Sequence, residues 1–193
     1  MPWAPELRDF ATTNTPELHR EAADRAYLEQ IRGEAVRLGL AESPEVFSGD
    51  ILWALSSRPA AAPLPDGLRF EPVTREWLND QIAAGRFENG AGTAGASARE
   101  QRNRYGIALL GARNEVIALA GVFDTYGLSE IGVDVVEAQQ GRGLGAAVVS
   151  AAIRASLERG ETPLYGCSRT NIRSQRTALA SGFLPVCAEG AVV

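Results

Sequence analysis

Hydrophobic residues change their spacing along the chain, and from residue 67 onward the spacing predicts alternating strands and helices. Apolar and polar residues alternate in residues 67–74, which is the period of a strand, whereas residues 75–85 show the wider spacing of a helix. The later elements follow from the same patterns: a mobile loop or weak helix rich in small residues over 86–100, a hairpin over 104–113 and 115–126 that turns at Asn114, a strand over 128–136, a helix over 144–159, a strand over 163–169, a helix over 171–182 and a closing segment over 183–193. The predicted unit is a mixed α/β domain.

The first third of the chain predicts helices followed by a stiff connector. Thr15-Pro16-Glu17 is a typical helix start, and the apolar run that follows it ends at Gly39. Ser43-Pro44-Glu45 repeats the start signal, so a second short helix is predicted that contains Phe47, Leu52 and Leu55. Three prolines within residues 58–67 indicate an extended connector. We therefore expect a helical extension over 1–66 and the α/β domain over 67–193.

Composition excludes several classes of protein. Hydrophobic residues make up 45% of the chain and charged residues 22%, which is typical of a globular protein. The chain has neither a membrane-length apolar run nor a signal-peptide pattern, so we expect a cytoplasmic protein without a membrane partner. The net charge is −5 and no basic stripe is present, which argues against nucleic acid as a partner. Cys167 and Cys187 match no zinc spacing, so we expect reduced thiols and no metal site.

Residues 133–160 carry the clearest chemical signal, because a strand runs there through a glycine-rich turn into a helix of small residues. Gly141, Gly143 and Gly145 allow the backbone to turn tightly. The start of the helix adds unpaired N–H donors and the positive end of the helix dipole. A turn of this kind is typical of a site that binds a diphosphate.

One interpretation of this turn is a Rossmann dinucleotide site, since Gly141-x-Gly143-x-x-Ala146 fits that pattern. A Rossmann strand, however, runs almost directly into its first glycine, and an acidic residue ends the next strand. Here EAQQ separates the strand from Gly141, and the nearest acidic residue, Glu161, lies before the next strand. The Rossmann interpretation is therefore the weaker one.

Gln140-Gly141-Arg142-Gly143-Leu144-Gly145 matches the Q/R-x-x-G-x-G/A loop of the GNAT superfamily, whose members transfer acyl groups from acyl-CoA to amines. Asn171-x-x-Ser174, Ala178 and Gly182-Phe183 resemble the family's N-x-x-[AS]…G-F helix. The resemblance covers residues 67–193 and implies a mixed central sheet with splayed fourth and fifth strands. Glu130-Ile131 and SLERGETPLYGCS are also similar to a subgroup that includes antibiotic self-resistance acetyltransferases.

The resemblance implies a binding site for the co-substrate, acetyl-CoA or another acyl-CoA. The diphosphate would lie on the backbone N–H groups of Gln140, Gly141, Arg142, Gly143, Leu144 and Gly145. The side chain of Arg142 would add charge, or it is simply solvated. Val133 to Val135 would pair with the pantetheine arm in the gap between the splayed strands. Asn171 would contact that arm or cap its helix, and both roles stay open.

Transfer to an amine needs a group that takes the amine proton. Glu130 and Asp134 lie four residues apart on one strand and so on one face. We expect Glu130 ahead of Asp134 as the general base, because its side chain is longer. Both could instead be solvent-facing or capping acids. Asp124 and Tyr126 would line the acceptor pocket, or they form an ordinary turn.

Many family members carry a Tyr seven residues after the Asn, and it protonates the leaving thiolate. Ala178 stands at that position here, so Tyr165 is the substitute we expect, although Tyr165 and Cys167 could also fill the core. The predicted function is N-acyl transfer to a small amine or amino acid derivative. A non-catalytic acyl-CoA sensor and an enzyme with another acyl-thioester reaction are the alternatives. For residues 1–66, a cover over the acceptor site, a homodimer contact and a scaffold all stay open.

Overall fold

The computed structural model describes residues 33–34, 36–39, 49–60, 64–91, 103–125 and 127–190. By their contacts the residues divide into two units, Met1–Ile51 with Cys187–Val193 and Leu52–Val186. In the first unit, the last turn of the first predicted helix is described. Gly39 has a φ of 69° there, and its N–H bonds to the carbonyl of Val36 at 3.0 Å. This confirms the predicted helix end at Gly39, while the start of that helix lies outside the described residues.

Within the described residues, seven strands form one mixed sheet in the order β2-β3-β4-β5-β6-β1-β7. The strands are β1 (Gly49–Leu55), β2 (Arg69–Thr74), β3 (Asn103–Leu110), β4 (Val116–Thr125), β5 (Leu128–Val135), β6 (Pro163–Ser168) and β7 (Phe183–Gly190). The helices are α1 (Arg75–Ala83), α2 (Leu144–Glu158) and α3 (Ile172–Ala180). Strands β2, β3, β4 and β5 are antiparallel to one another in successive pairs, and β5 runs parallel to β6. The predicted class and the predicted order of elements after residue 67 are confirmed.

Strand β1 corrects one prediction, because the second short helix does not form over residues 49–55; its predicted start, with Phe47, lies outside the described residues. Residues 49–55 are instead a strand that lies between β6 and β7 in the sheet. The cause is that a short apolar run fits either a buried strand or a helix, and pairing within the sheet, between β6 and β7, decides in favour of the strand. Trp53 is 3% exposed, and the N–H of Ser56 bonds to the carbonyl of Gly182 at 3.0 Å. Whether residues 1–66 act as a separate extension stays a prediction.

Strands β5 and β6 separate along their length. They are paired where Ser129 faces Pro163 and Glu130 faces Leu164, and among the described residues no later pair joins them. The strands therefore diverge from this point toward the glycine-rich turn. This is the splay of the fourth and fifth strands of the 67–193 unit, which the resemblance implied, and it is confirmed.

Helices cover both faces of the sheet. On one face, α1 forms a core cluster in which Leu78 and Ile82 are buried together with Leu119 of β4. On the other face, α2 packs against β3, β4 and β5. Asp134 pairs directly with Leu119, and side chains alternate along a strand. Glu130, Gly132 and Asp134 therefore face the α1 side, whereas Val133 and Val135 face the α2 side. Within the described residues, no helix has the length and apolar character needed to cross a bilayer.

Candidate active site

The glycine-rich turn follows β5 and leads into α2. Gly141 and Gly143 have φ angles of 78° and 76°, which glycine adopts without steric cost. Gly143 is the N-cap, and the first helix amide that donates to the backbone is that of Ala147, 3.1 Å from the Gly143 carbonyl. The N–H groups of residues 141–146 thus have no backbone acceptor among the described residues. Such donors at a helix start are suited to bind an anion.

Two arginines stand beside this turn. Arg142 is exposed and donates to the side-chain oxygen of Gln139. Arg173 of α3, which the sequence did not single out, donates to the side-chain oxygen of Gln140 at 2.8 Å. Gln140 in turn donates to the carbonyl of Val135 at 3.1 Å. Among the described residues, the turn therefore combines amides that have no backbone acceptor with two cationic side chains, an arrangement that suits a diphosphate.

The edge of β5 is open where the splay begins. After Glu130, β5 keeps its antiparallel partner β4 but has no pairing with β6 in the described part of the chain. Val133 and Val135 are half-buried on this stretch. An unpaired strand edge can pair with an extended ligand through its backbone groups. The geometry is compatible with the predicted pantetheine contacts, which stay a prediction.

Asp134 is fully engaged by the segment that follows α1. Its carboxylate accepts the backbone N–H groups of Asn89 at 2.7 Å and Gly90 at 2.9 Å, and the side-chain amide of Asn89 at 2.8 Å. The segment lies directly on the sheet, since a Cβ on Gly121 would lie 1.7 Å from the Gly90 carbonyl oxygen, and one on Gly132 would lie 2.0 Å from that of Asn89. Asp134 therefore anchors residues 87–91 across the α1 face.

Glu130 occupies a different position on the same face, at the last pair before the strands separate. One carboxylate oxygen accepts the hydroxyl of Thr125 at 2.6 Å. The other lies beside Gly166 of β6, because a Cβ built there would be 2.9 Å from Glu130 Oε1. The Glu130 side chain thus leans from β5 toward β6. Of the two predicted bases, Glu130 has the less occupied carboxylate.

Tyr165 faces the other side of the sheet and is buried, with 1% of its surface exposed. Its hydroxyl shares a hydrogen bond of 2.7 Å with that of Ser174, and its ring lies 5.6 Å from the ring of Phe183. Burial raises the pKa of Tyr165 to about 12. Cys167 is also buried on this side, so the core-filling alternative fits both residues. Ala178 is 0% exposed, which means that a tyrosine there would overpack the core.

Two further predicted residues have local structural partners. The side chain of Asn171 accepts the N–H of Ser174 at 3.0 Å and is the N-cap of α3, as its alternative interpretation required. The side chain of Asp124 accepts the N–H of Gly127 at 3.2 Å, which fits an ordinary turn. Tyr126 lies outside the described residues. A cavity of 280 Å³ adjoins the open end of β5 and is lined by Phe87, Glu88, Asn89, Asp134, Val135 and Val136.

Comparison with known proteins agrees with the fold and the turn. The profile of the acetyltransferase (GNAT) family matches residues 69–183. Since this match covers more than half of the chain, the chain belongs to that family. The matched range, residues 69–183, contains all of β2 to β6 together with α1, α2 and α3. No curated protein matches the sequence.

Solved structures show the same fold at low sequence identity. A GCN5-related N-acetyltransferase-like protein from Streptococcus suis aligns with a TM-score of 0.57 and 18% identity, over 75% of this chain and 60% of its own. A Drosophila protein aligns with a TM-score of 0.61 and 18% identity, over 86% of this chain and 57% of its own. A tandem GNAT protein from the clavulanic acid biosynthesis pathway aligns with a TM-score of 0.55 and 15% identity, over 90% of this chain and 70% of its own. The chain thus spans only about 60% of the length of the S. suis protein.

Proposed function

We propose that the chain transfers an acyl group, most simply acetyl, from acyl-CoA to the primary amine of a small molecule. The observation that carries this proposal is the turn at residues 141–146, where consecutive amides beside the splay have no backbone acceptor in the described part of the chain. Membership of the acetyltransferase (GNAT) family supports the same reaction class. The family supports acyl transfer in general, and the choice of an amine as the acceptor is the more specific part of the proposal.

The residues present fit the co-substrate. The amides of residues 141–146 would hold the diphosphate, and Arg142 and Arg173 would offset its charge. The open edge of β5 would pair with the extended pantetheine arm. When bound, the co-substrate supplies a thioester carbonyl that an amine can attack.

Glu130 is the base in this proposal, and Asp134 is an anchor. An amine attacks the thioester only in its neutral form, so a proton must leave the ammonium group. Glu130 stands where β5 and β6 separate and can receive that proton directly or through one water. Asp134 already accepts three hydrogen bonds from Asn89 and Gly90. We therefore assign Asp134 to holding the segment that covers the α1 face.

The departing thiolate also takes up a proton. Tyr165 remains the candidate donor, but its hydroxyl is bonded to Ser174, so the proton would pass through the serine hydroxyl. The high pKa of Tyr165, raised to about 12 by burial, keeps this hydroxyl protonated near neutral pH. A CoA thiol that behaves like free cysteine, with a pKa of about 8.5, is also able to leave as the thiolate without assistance. Turnover of Tyr165→Phe and Ser174→Ala would separate the two routes.

The decisive experiment measures thiol release from acetyl-CoA with a panel of primary amines, alongside calorimetry of CoA binding. We expect saturable, amine-dependent release, and we expect Glu130→Gln to reduce turnover by roughly 10²–10⁴ with CoA affinity retained. Release that is independent of any amine would contradict amine acylation. Turnover within about threefold of the wild type for Glu130→Gln would remove the base assignment, because a general base contributes far more.

A second candidate function is a sensor that binds acyl-CoA without turnover. The observations that favour it are the fully buried Ala178 at the position of the family's tyrosine and the engagement of the Tyr165 hydroxyl by Ser174. CoA binding by calorimetry without thiol release for any amine in the panel would support the sensor. Amine-dependent release would exclude it.

A further inference from the structure

The carboxylate of Glu130 is held at the point where β5 and β6 part. Glu130 faces Leu164 in the last pair of the two strands, and Gly166 follows two residues further along β6. Because side chains alternate along a strand, position 166 faces the same side of the sheet as Glu130 and Leu164. The position next to the Glu130 carboxylate is therefore one at which β6 carries no side chain.

The space above Gly166 is filled by Glu130 itself. A Cβ at position 166 would lie 2.9 Å from Glu130 Oε1 and 3.8 Å from Glu130 Cδ. Its other near neighbour is Leu52 Cδ2 of β1, at 3.7 Å. The carboxylate thus rests on the bare backbone of β6, with an apolar side chain of β1 beside it. Any side chain at position 166 would compete with the carboxylate for this space.

The second carboxylate oxygen is held from the opposite direction. Thr125, at the end of β4, donates its hydroxyl to Glu130 Oε2 at 2.6 Å. One oxygen is thus bonded to Thr125 while the other reaches over Gly166. The side chain therefore has a defined direction across the start of the gap, which a solvated surface glutamate would not have.

We propose that Gly166 is a positioning residue, whose missing side chain lets the Glu130 carboxylate lie over the gap between β5 and β6 in reach of the reacting amine. The proposal rests on the proposed function, in which Glu130 is the base. Leu52 limits the carboxylate on the β1 side, and Thr125 fixes its rotation. Gly166 acts through Glu130 and does not contact the acyl group itself.

Gly166→Ala is a selective test of this role. Gly166 is not in the left-handed backbone region, so alanine fits its conformation. The close contact is with the end of a flexible side chain, which can rotate away from the new methyl group, so the fold should survive. Gly166→Val enlarges the displacement. Calorimetry should show that both variants keep their CoA affinity. The alanine variant should also keep the melting temperature of the wild type.

We expect Gly166→Ala to lower kcat by about tenfold and Gly166→Val by more, since a misplacement of about 1 Å can cost roughly 100-fold. In a Glu130→Gln background, which lacks the base, the same Gly166→Ala change should alter kcat by less than about twofold, because residues that act through one another are not additive. An equal loss in both backgrounds would show that alanine disturbs the site in another way and would overturn the proposal. No loss in the wild-type background would overturn it as well.

A crystal structure of Gly166→Ala distinguishes failure of this proposal from failure of the proposed function. The expected result is a rotated Glu130 side chain that no longer accepts the Thr125 hydroxyl. A Glu130 carboxylate that stays in place would overturn the positioning role regardless of activity. A displaced carboxylate with unchanged kcat, together with an active Glu130→Gln variant, would instead show that Glu130 is not the base.

Discussion

The polar groups at the two ends of strand β5 differ in whether they have hydrogen-bond partners. At the start of the strand, the carboxylate of Glu161 accepts the hydroxyls of Ser129 at 2.8 Å and Tyr105 at 2.6 Å, and Arg104 forms an ion pair with it at 3.2 Å. Beyond the end of the strand, the N–H groups of residues 141–146 have no backbone acceptor among the described residues. The first end is a completed network, and the second is a set of donors that a ligand can complete.

Burial and packing explain why the network at the start of β5 is structural. The side chain of Glu161 is 14% exposed, so an unpaired carboxylate there would be costly. Tyr105 also shares a hydrogen bond of 2.9 Å with Ser156 of α2, and Arg159 lies 4.0 Å above its ring. These contacts connect α2 to β3 and β5. We therefore expect changes at this end to affect stability, and changes at the other end to affect binding and turnover.

The largest expected effect is that of Gly143→Asp on CoA binding. The carboxylate would place negative charge in the proposed diphosphate site, and like charges brought together cost several kcal/mol, so affinity should fall by roughly 100-fold or more. Gly143→Asn is the matched control, because asparagine tolerates a positive φ and carries no charge. Calorimetry with CoA measures both. Equal losses for the two variants would mean that backbone strain, and not charge, causes the effect.

Asp134→Ala tests a residue at the open end that nevertheless has all its partners. Its removal leaves the backbone N–H groups of Asn89 and Gly90 without their acceptor, at a cost of about 2 kcal/mol, because hydrogen bonds to a charged group are worth about 1.5–3 kcal/mol each and these are partly exposed. Hydrogen exchange of those two amides should accelerate. Asp134→Asn keeps one acceptor oxygen and should give an intermediate rate. Unchanged exchange in both variants would contradict the anchoring role.

Alkaline pH should weaken the fold through the buried tyrosines. Burial raises the pKa of Tyr165 to about 12, and burial together with Glu161 does the same for Tyr105. Since these folded-state values lie above the ordinary value of about 10, the tyrosines stabilise the fold fully below pH 10, and that contribution is lost as the pH rises toward 12. Melting temperatures across this range should fall less steeply for Tyr165→Phe than for the wild type. If the melting temperatures of the two proteins fell in parallel with pH, Tyr165 would not be a source of the alkaline instability.

The smallest effect is expected at the completed network. Tyr105→Phe removes one donor to Glu161 and leaves Ser129 and Arg104 in place, so the free energy of unfolding should fall by only about 1 kcal/mol. CoA affinity and turnover should stay at the wild-type level. Denaturant unfolding and the thiol-release assay measure the two quantities on the same sample. Lost turnover with unchanged stability would reverse the distinction between the two ends of β5.

The sequence predicted the elements whose patterns are long or have clear end signals. The hairpin of β3 and β4 with its turn at Asn114, whose φ is 65°, agrees with the prediction. The helix starts near Leu144 and Ile172 also agree. Strand β1 was missed because its apolar run is short and fits two periods. The sheet decides in favour of a strand there, since β1 lies between β6 and β7.

The candidate site was predictable to a smaller extent. The glycine turn was found because its backbone conformation requires glycine at fixed positions, and this requirement is visible in the residue types themselves. The roles of Glu130 and Asp134 were not distinguishable, because both are acids on one face of one strand. Their difference lies in contacts with residues that are distant in the sequence. Gly166 lies 36 residues after Glu130, and Gly90 lies 44 residues before Asp134. These residues come together only through folding.

By itself the sequence determined the α/β class, the order of elements after residue 67 and the glycine-rich turn, because these depend on local spacing and local backbone conformation. Only the tertiary structure decided which groups meet. It gives Asp134 three donors, places the Glu130 carboxylate over Gly166, and directs the Tyr165 hydroxyl to Ser174. Contacts between strands and segments distant in sequence depend on register and packing, which no local pattern specifies.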